Sequence, residues 1–196
     1  MIIPTLNDVF QDGLMERDLD KYDENIRNAL QGLKRRETDI IRLVEESIKG
    51  LARPDTVQVS LAVDIKDHSV CIDDERIMKV LSSIETNAVE AMPKGGELSI
   101  GVKGDEEQVV ITISDTGTGI SKEDMDNILL PFFTTKPAGD ATGLGLPVAY
   151  NSVKMHSGKL EIKSNADPKN GPTGTKITIT LPRVRPDLTK VILQEE

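Results

Sequence analysis

The most constraining stretch of the sequence is an alternating apolar run that ends in an acidic, glycine-rich turn. Residues 109–114 (VVITIS) are rich in β-branched side chains, which predicts a strand. Residues 115–120 (DTGTGI) follow directly, so Asp115 stands at the strand end and two glycines let a ligand approach the backbone closely. An ionised carboxylate only accepts hydrogen bonds, which suits a ligand with a donor, such as the amino group of a base. A plain turn that leaves the strand has the same pattern.

The composition is typical of a globular chain with an aliphatic core. Of the 196 residues, 29% are charged, 37% are hydrophobic and only 3% are aromatic. The net charge of −9 argues against nucleic-acid binding and against contact with an anionic membrane surface, but leaves room for a local basic phosphate pocket. A single cysteine, Cys71, fits a reducing compartment. Without a membrane span or a signal-peptide pattern, we expect a cytoplasmic location, free or as part of a membrane protein.

The chain divides into three parts. Residues 1–37 carry apolar side chains at helical spacing and are predicted to be a helical segment. Two interpretations of this segment remain open, a helix on the domain's own core and a remnant of a helical dimerisation stem. Residues 38–184 form the predicted folded domain, and residues 185–196 form a tail without a clear pattern.

The predicted domain mixes helices with antiparallel strands. Helices are expected over 40–49, from 73–74 to about 92, and from 143 to about 156. Strands are expected over 57–64, 70–72, 97–102, 108–114, 159–164 and 175–181. Because helices and strands do not alternate strictly, we expect an α+β fold, a two-layer sandwich with one mixed, mostly antiparallel sheet and helices on one face. The long connection over 119–142 is typical of a functional or mobile loop.

Three further motifs carry chemistry. Asn87 lies at the edge of the apolar face of the long helix, where its amide oxygen suits Mg²⁺; a neighbouring backbone group would satisfy it equally well. Residues 131–136 (PFFTTK) combine two aromatics that can pin a loop with hydroxyls and one ammonium that suit an anion, or form a plain hydrophobic plug. Residues 141–146 (ATGLGL) open a helix, where unpaired N–H groups attract phosphate or form an ordinary cap.

In this order and spacing, the motifs together resemble the Bergerat ATP-binding fold of the GHKL superfamily. Within it they are most similar to the catalytic, ATP-binding domain of two-component sensor histidine kinases. The segments that carry the resemblance are 87–92 (NAVEAM), 115–120 (DTGTGI), 131–136 (PFFTTK), 142–146 (TGLGL) and 174–182 (GTKITITLP). The resemblance covers about residues 38–182 and is specific in combination rather than motif by motif.

The resemblance implies ATP and Mg²⁺ as cofactors and a role for each matching residue. Asn87 would hold the metal and, with Lys136, form the catalytic pair. Asp115 would accept a hydrogen bond from the adenine amino group, with Thr175 helping through a water. Residues 120–142 would form a mobile lid over ATP. The remaining residues implied at the nucleotide are Ala91, Gly117, Gly119, Ile120, Thr135, Thr142, Gly143, Leu144, Gly145 and Leu146.

The family's activity would be transfer of the ATP γ-phosphoryl group to a histidine. Neither His68 nor His156 has the acidic, basic and proline context of a phosphoacceptor, so the acceptor is expected outside this chain. The implied partners are a histidine-bearing dimerisation hairpin and a response regulator, with a homodimer through the N-terminal helices. The location would be the cytoplasm, including the cytoplasmic part of a membrane-bound sensor.

Two departures from the family pattern keep other functions open. Ser83 stands where kinases usually have Asn and hydrolysing members have Glu, and a hydroxyl is a poor general base. Ala141 replaces a frequent lid glycine. The alternatives are a GHKL ATPase, a serine kinase of the anti-sigma type, and a non-catalytic nucleotide-binding interaction module.

Overall fold

The computed structural model describes residues 32–137 and 141–183, which fold into an α+β sandwich. In chain order the elements are β1 (Arg36–Asp39), α1 (Ile40–Gly50), β2 (Val57–Asp64), β3 (Ser69–Ile72), α2 (Asp74–Glu90), β4 (Gly96–Gly104), β5 (Gln108–Asp115), α3 (Lys122–Met125), α4 (Gly145–Met155), β6 (Lys159–Asn165), a 3₁₀ turn (Pro168–Asn170) and β7 (Gly174–Pro182). The main sheet has the order β2-β4-β5-β7-β6, with only β2 and β4 parallel. The predicted mixed, mostly antiparallel sheet is confirmed.

Alternation along the strands decides which face of the sheet is covered. Ile100 of β4 lies opposite Ile113 of β5, which lies opposite Ile177 of β7, so one buried apolar row crosses the sheet. Apolar side chains of α1, α2 and α4 complete the same core. The helices therefore lie on one face, while the intervening strand positions are largely polar.

Two acidic residues begin the first two helices. The Asp39 carboxylate accepts hydrogen bonds from the N–H groups of Ile41 and Arg42, at 2.9 and 3.0 Å. Asp73 accepts one from Arg76 N at 3.1 Å. These caps confirm the predicted helix starts, because a short acidic side chain satisfies N–H groups that lack an intrahelical partner.

Strand β1 was not predicted from the sequence. It pairs antiparallel with β3, with Glu37 opposite Cys71, and forms a separate two-stranded sheet. Arg36 and Glu37, which the helical pattern assigned to the N-terminal segment, therefore belong to a strand. The long connection likewise contains the short helix α3.

The chain separates into two units, one of Arg36–Val184 and the other of Met1–Arg35 with Arg185–Glu196. The predicted helical segment up to residue 31 and the predicted tail lie outside the described residues. No helix among residues 32–137 and 141–183 is long and apolar enough to cross a membrane.

A buried carboxyl group joins α1 to α2. Glu85 is 0% exposed, its Oε1 lies 2.7 Å from Ser47 Oγ, and its Oε2 has no hydrogen-bond partner among the residues that the structure describes. Ser47 Oγ also lies 2.9 Å from the Val44 carbonyl oxygen. A hydroxyl has only one hydrogen to donate, so both contacts of Ser47 are hydrogen bonds only when Glu85 carries a proton. Burial accordingly raises the pKa of Glu85, and the Ser47 hydrogen bond opposes that rise.

We expect Glu85→Gln to stabilise the fold increasingly as the pH rises. The folded-state pKa of Glu85 lies above its ordinary value of 4.5, so its contribution is complete below that value and is lost as the pH rises through the folded-state pKa. The amide of glutamine keeps a donor for Ser47 and has no proton to lose. Urea unfolding of both proteins across a pH series should show a difference in the free energy of unfolding that grows with pH.

The matched control is Glu45→Gln, the same change at an exposed position of α1. Its difference from the wild type should vary little with pH. Parallel pH profiles for Glu85→Gln and the wild type would contradict a protonated Glu85.

Candidate functional site

The C-terminal half of α2 meets the start of α4. Ser83, Asn87 and Ala91 follow one another at intervals of four, so they lie on one side of the helix. A Cβ placed on Gly145 would lie 2.6 Å from Ser83 Oγ and 4.0 Å from Asn87 Nδ2. The first turn of α4 therefore packs closely on this side of α2.

The loop after β5 packs on the end of the same helix. A Cβ on Gly117 would lie 2.6 Å from the Ala91 carbonyl oxygen, and Thr118 N donates a hydrogen bond to that oxygen at 3.0 Å. The end of α2 thus contacts both glycine motifs, which are far apart in the sequence.

Asp115 is held with one carboxylate oxygen engaged and the other available. The residue is 9% exposed, and its Oδ1 accepts hydrogen bonds from Gly117 N at 2.8 Å and Thr175 N at 3.2 Å. Within the described part of the chain, Oδ2 accepts no side-chain or backbone hydrogen bond. Burial raises the pKa of Asp115, and the two N–H donors partly offset this effect by stabilising the charged form.

Ser164 is a residue of this site that the sequence did not reveal. Its hydroxyl accepts a hydrogen bond from Ile120 N at 2.8 Å, donates to the Gly174 carbonyl at 2.8 Å and lies 2.9 Å from Thr175 Oγ1. This single side chain connects the start of the 120–142 loop to β6 and β7. A small polar residue in a strand gives no local signal of such a role, because its partners are set by the register of Ser164 opposite Thr175.

The surroundings of Gly119 require glycine at this position. Its φ is +72°, and a Cβ there would lie 2.1 Å from the Asn165 carbonyl oxygen. Only glycine adopts this conformation in this space without strain. The backbone of the acidic turn is therefore held tightly against the end of β6.

Within the described part of the chain, the start of α4 has no side-chain cap. Its N-cap residue, Leu144, makes no side-chain hydrogen bond, and Thr142 Oγ1 accepts only a long bond from Leu144 N at 3.4 Å. Backbone N–H groups at a helix start carry partial positive charge, which attracts anions. Leu146, in the first turn, is half-buried against the core.

The PFFTTK segment lies beside this helix start. Phe132 N donates to the Gly143 carbonyl at 3.0 Å, and a Cβ on Gly143, whose φ is +65°, would lie 2.4 Å from the Phe132 carbonyl carbon. Phe132 itself is 74% exposed, so the expectation that both aromatics pin the loop to the core is wrong for this residue. Phe133 is half-buried, and Thr135 is exposed.

Lys136 is held at the end of α2. Its ammonium group forms an ion pair with the Glu90 carboxylate, and its backbone N–H donates to Thr134 Oγ1 at 3.1 Å. Glu90 belongs to the NAVEAM segment, but nothing in the sequence pattern indicated its pairing with a lysine 46 residues away.

The structure thus brings the predicted site residues into one neighbourhood around the end of α2. Asn87 lies beside Gly145, Ala91 beside Gly117, and Asp115 beside Thr175, while Ile120 lies next to Ser164. The individual roles assigned to them stay predictions. No cluster of three or more His, Cys, Asp or Glu side chains suited to a metal ion occurs in residues 32–137 and 141–183.

Comparison with known families matches residues 72–185, more than half of the chain, to the family described as histidine kinase-, DNA gyrase B- and HSP90-like ATPase. Sporulation kinase D of Bacillus subtilis (strain 168) is 39% identical over 127 residues, which are 65% of this chain and 22% of that protein. Sensor histidine kinase ZraS of Escherichia coli (strain K12) is 34% identical over 110 residues, 56% of this chain and 22% of that protein. The chain therefore spans about a fifth of the length of these curated relatives.

Solved structures support the same assignment. The mycobacterial sensor histidine kinase MprB is 26% identical with a TM-score of 0.63, over 76% of this chain and 97% of that one. Full-length ShkA, solved in complex with AMPPNP, is 18% identical with a TM-score of 0.65, over 87% of this chain and 37% of that one, and shows the fold alone. The chain belongs to the histidine kinase-, DNA gyrase B- and HSP90-like ATPase family, and its similarity lies with the sensor histidine kinases of that family.

Proposed function

We propose that this domain binds ATP with Mg²⁺ and transfers the γ-phosphoryl group to a histidine that is not among residues 1–196. The observation that carries the proposal is the meeting of both glycine motifs at the end of α2. Gly117 brings the Asp115 loop to Ala91, and Gly145 brings the start of α4 to Asn87. One end of the site thus offers a carboxylate acceptor, and the other offers an amide and free backbone donors.

Asp115 would recognise adenine. Its Oδ2 is available for the hydrogen bond that the exocyclic amino group donates, while Gly117 N and Thr175 N fix the carboxyl group through Oδ1. The hydroxyl of Thr175, held by Ser164, would reach the ring through a water. The apolar surface for the ring would come from Ala91, Ile120 and Leu146.

The phosphate end would use groups that have no partner within the described chain. The Asn87 amide and the Ser83 hydroxyl make no hydrogen bond there, and the start of α4 has no side-chain cap. The amide oxygen of Asn87 fits Mg²⁺, with the other positions filled by phosphate oxygens and water. When bound, Mg²⁺ supplies charge neutralisation on the transferring group. Gly143, Leu144 and Gly145 would aim backbone donors at the phosphates, with Thr135, Thr142 and Lys136 nearby.

The two histidines of the chain support an acceptor elsewhere. His156 is buried, its Nε2 accepts from Asp73 N at 3.0 Å and its Nδ1 lies 2.7 Å from the Ser152 carbonyl oxygen, so both nitrogens are engaged. His68 lies 3.8 Å from Asp39, outside any phosphoacceptor context. The acceptor would be a histidine on a helical dimerisation hairpin, with a response regulator as the next partner and the cytoplasm as the location.

Phosphoryl transfer is favoured over hydrolysis by the residue at position 83. Ser83 of α2 lies against the start of α4, where a water-activating carboxylate would be needed, and it carries only a hydroxyl. The chain would act by positioning the nucleotide and compensating its charge, and the acceptor would supply the nucleophile.

Asp115→Asn should weaken the binding of Mg²⁺-ATP at least tenfold. A hydrogen bond to a charged group contributes about 1.5–3 kcal/mol, and about 1.4 kcal/mol corresponds to a factor of ten in Kd. Isothermal titration calorimetry measures the change, with Asp64→Asn, at the exposed end of β2, as the control that keeps wild-type affinity. Equal affinities of Asp115→Asn and the wild type would exclude an adenine pocket at this carboxylate.

The affinity of the wild type for ATP should fall as the pH is lowered toward the raised pKa of Asp115. Protonation of Asp115 removes the charge that strengthens its hydrogen bond to the amino group, and burial moves this step above the ordinary value of 3.8. Competition binding with a fluorescent nucleotide across a pH series tests this, and the profile of Asp115→Asn should be flatter. Profiles of the same slope would assign the pH dependence to another group.

Phosphotransfer should occur in trans and not on the chain itself. With ATP labelled on the γ-phosphate, we expect acid-labile label on an added dimerisation hairpin with a phosphoacceptor histidine, and none on His68 or His156. Asn87→Ala should abolish the transfer, because the proposed metal ligand is lost, and a hairpin with its histidine changed to glutamine serves as control. Self-labelling, or steady phosphate release without any hairpin, would contradict the proposed function.

A further inference from the structure

The ion pair between Glu90 and Lys136 engages the only charged side chain that the proposed function assigns to the phosphate end. Glu90 is the last residue of α2 and lies three positions after Asn87, so the two side chains occupy neighbouring parts of the helix surface. Its carboxylate is therefore at the end of α2 that also contacts Gly117. Lys136 is held there by this ion pair.

We propose that Glu90 is a specificity-determining residue, which competes with the phosphates of the nucleotide for the ammonium group of Lys136. This inference rests on the proposed function, because it takes the end of α2 as the site of ATP. Lys136 cannot direct its ammonium group fully at both anions, so phosphate binding has to weaken or displace the contact with Glu90.

The exposure of the pair makes such an exchange feasible. The side chain of Glu90 is 44% exposed and that of Lys136 is 34% exposed. Partly exposed ion pairs of this kind contribute little net free energy, because water solvates both charges well when they separate. A polyphosphate can therefore replace Glu90 as the ion-pair partner of Lys136, and the pair with Glu90 can form again when the phosphate dissociates.

Competition for a cation depends on the charge of the competitor. Adenosine has no phosphate and would leave the pair intact, ADP would compete for Lys136, and ATP would compete more strongly because it carries more negative charge. Glu90 would thus reduce the affinity for ATP more than the affinity for ADP, and would leave adenosine binding unchanged. A residue with a merely structural role would change the binding of all three ligands alike.

The experiment compares Kd values of adenosine, ADP and ATP, at saturating Mg²⁺, for the wild type and Glu90→Gln. We expect ATP to bind Glu90→Gln about twofold to fivefold more tightly, ADP less so, and adenosine equally well. In a protein that already carries Lys136→Gln, the change Glu90→Gln should no longer increase the affinity for ATP. The matched control is Glu161→Gln, which breaks the exposed Lys159–Glu161 pair of 2.9 Å on β6 and should change none of the three values.

Several results would overturn the competition. Unchanged ATP affinity in Glu90→Gln, or an equal gain for all three ligands, would exclude it. A gain that persists without Lys136 would show direct repulsion instead, and weaker ATP binding in Glu90→Gln would indicate that the carboxylate helps to bind the metal.

The failure of this inference is distinguishable from the failure of the proposed function. If Asp115→Asn weakens the binding of all three ligands while Glu90→Gln leaves ATP binding unchanged, the proposed nucleotide site is supported and the competition by Glu90 is excluded. If the wild type binds none of the three ligands, the proposed function falls, and the competition falls with it.

Discussion

The structure depends on the close approach of two backbone segments to the last turns of α2. Gly117 lies against the Ala91 carbonyl and Gly145 against the Ser83 hydroxyl, at distances where a Cβ would be 2.6 Å from either oxygen. The final carbonyls of a helix lack intrahelical donors, and Thr118 N supplies one to Ala91 at 3.0 Å. The contact that completes the helix end is therefore also the contact that places the Asp115 loop. Fold and site cannot be separated here, because they use the same atoms.

The order of the strands decides how the buried carboxylate is supported. β5 ends at Asp115 and β7 begins at Gly174 beside it, so Thr175 N reaches Oδ1 without a side chain in between. A Cβ on Gly174 would lie 2.1 Å from the Asp115 carbonyl oxygen, which shows how close the two strand ends are. Within residues 32–137 and 141–183, Glu85 has no comparable backbone donors, and its only hydrogen-bond partner is the Ser47 hydroxyl. Asp115 and Glu85 both have a raised pKa, but they differ in their hydrogen-bond donors. Of the two, Asp115 alone accepts backbone N–H hydrogen bonds that stabilise its charged form.

Much of the fold and most of the site segments could be predicted from the sequence. The alternation of residues 109–114 and the caps at Asp39 and Asp73 are local patterns, so they needed no tertiary information. Strand β1 carries four polar or charged residues and exists because β3 pairs with it, which no local pattern reveals. The partners of Ser164 follow from the strand register, and the Glu90–Lys136 pair joins residues that are 46 positions apart. What the sequence could not predict was therefore mainly the pairing between distant segments.

Recognition of a polyphosphate by a chain of net charge −9 has to be a short-range effect. Beyond the screening length of about 10 Å at 0.1 M salt, the field of the whole molecule acts only weakly on such a ligand. Within that length, the dipole of α4 and the ammonium group of Lys136 favour negative charge, while Glu90 opposes it. Each of these local groups contributes only a modest electrostatic interaction energy with the ligand. A single carboxylate at the end of α2 is therefore a substantial fraction of the sum. The proposed competition of Glu90 with phosphate for Lys136 would therefore set how strongly the site distinguishes ligands by their charge.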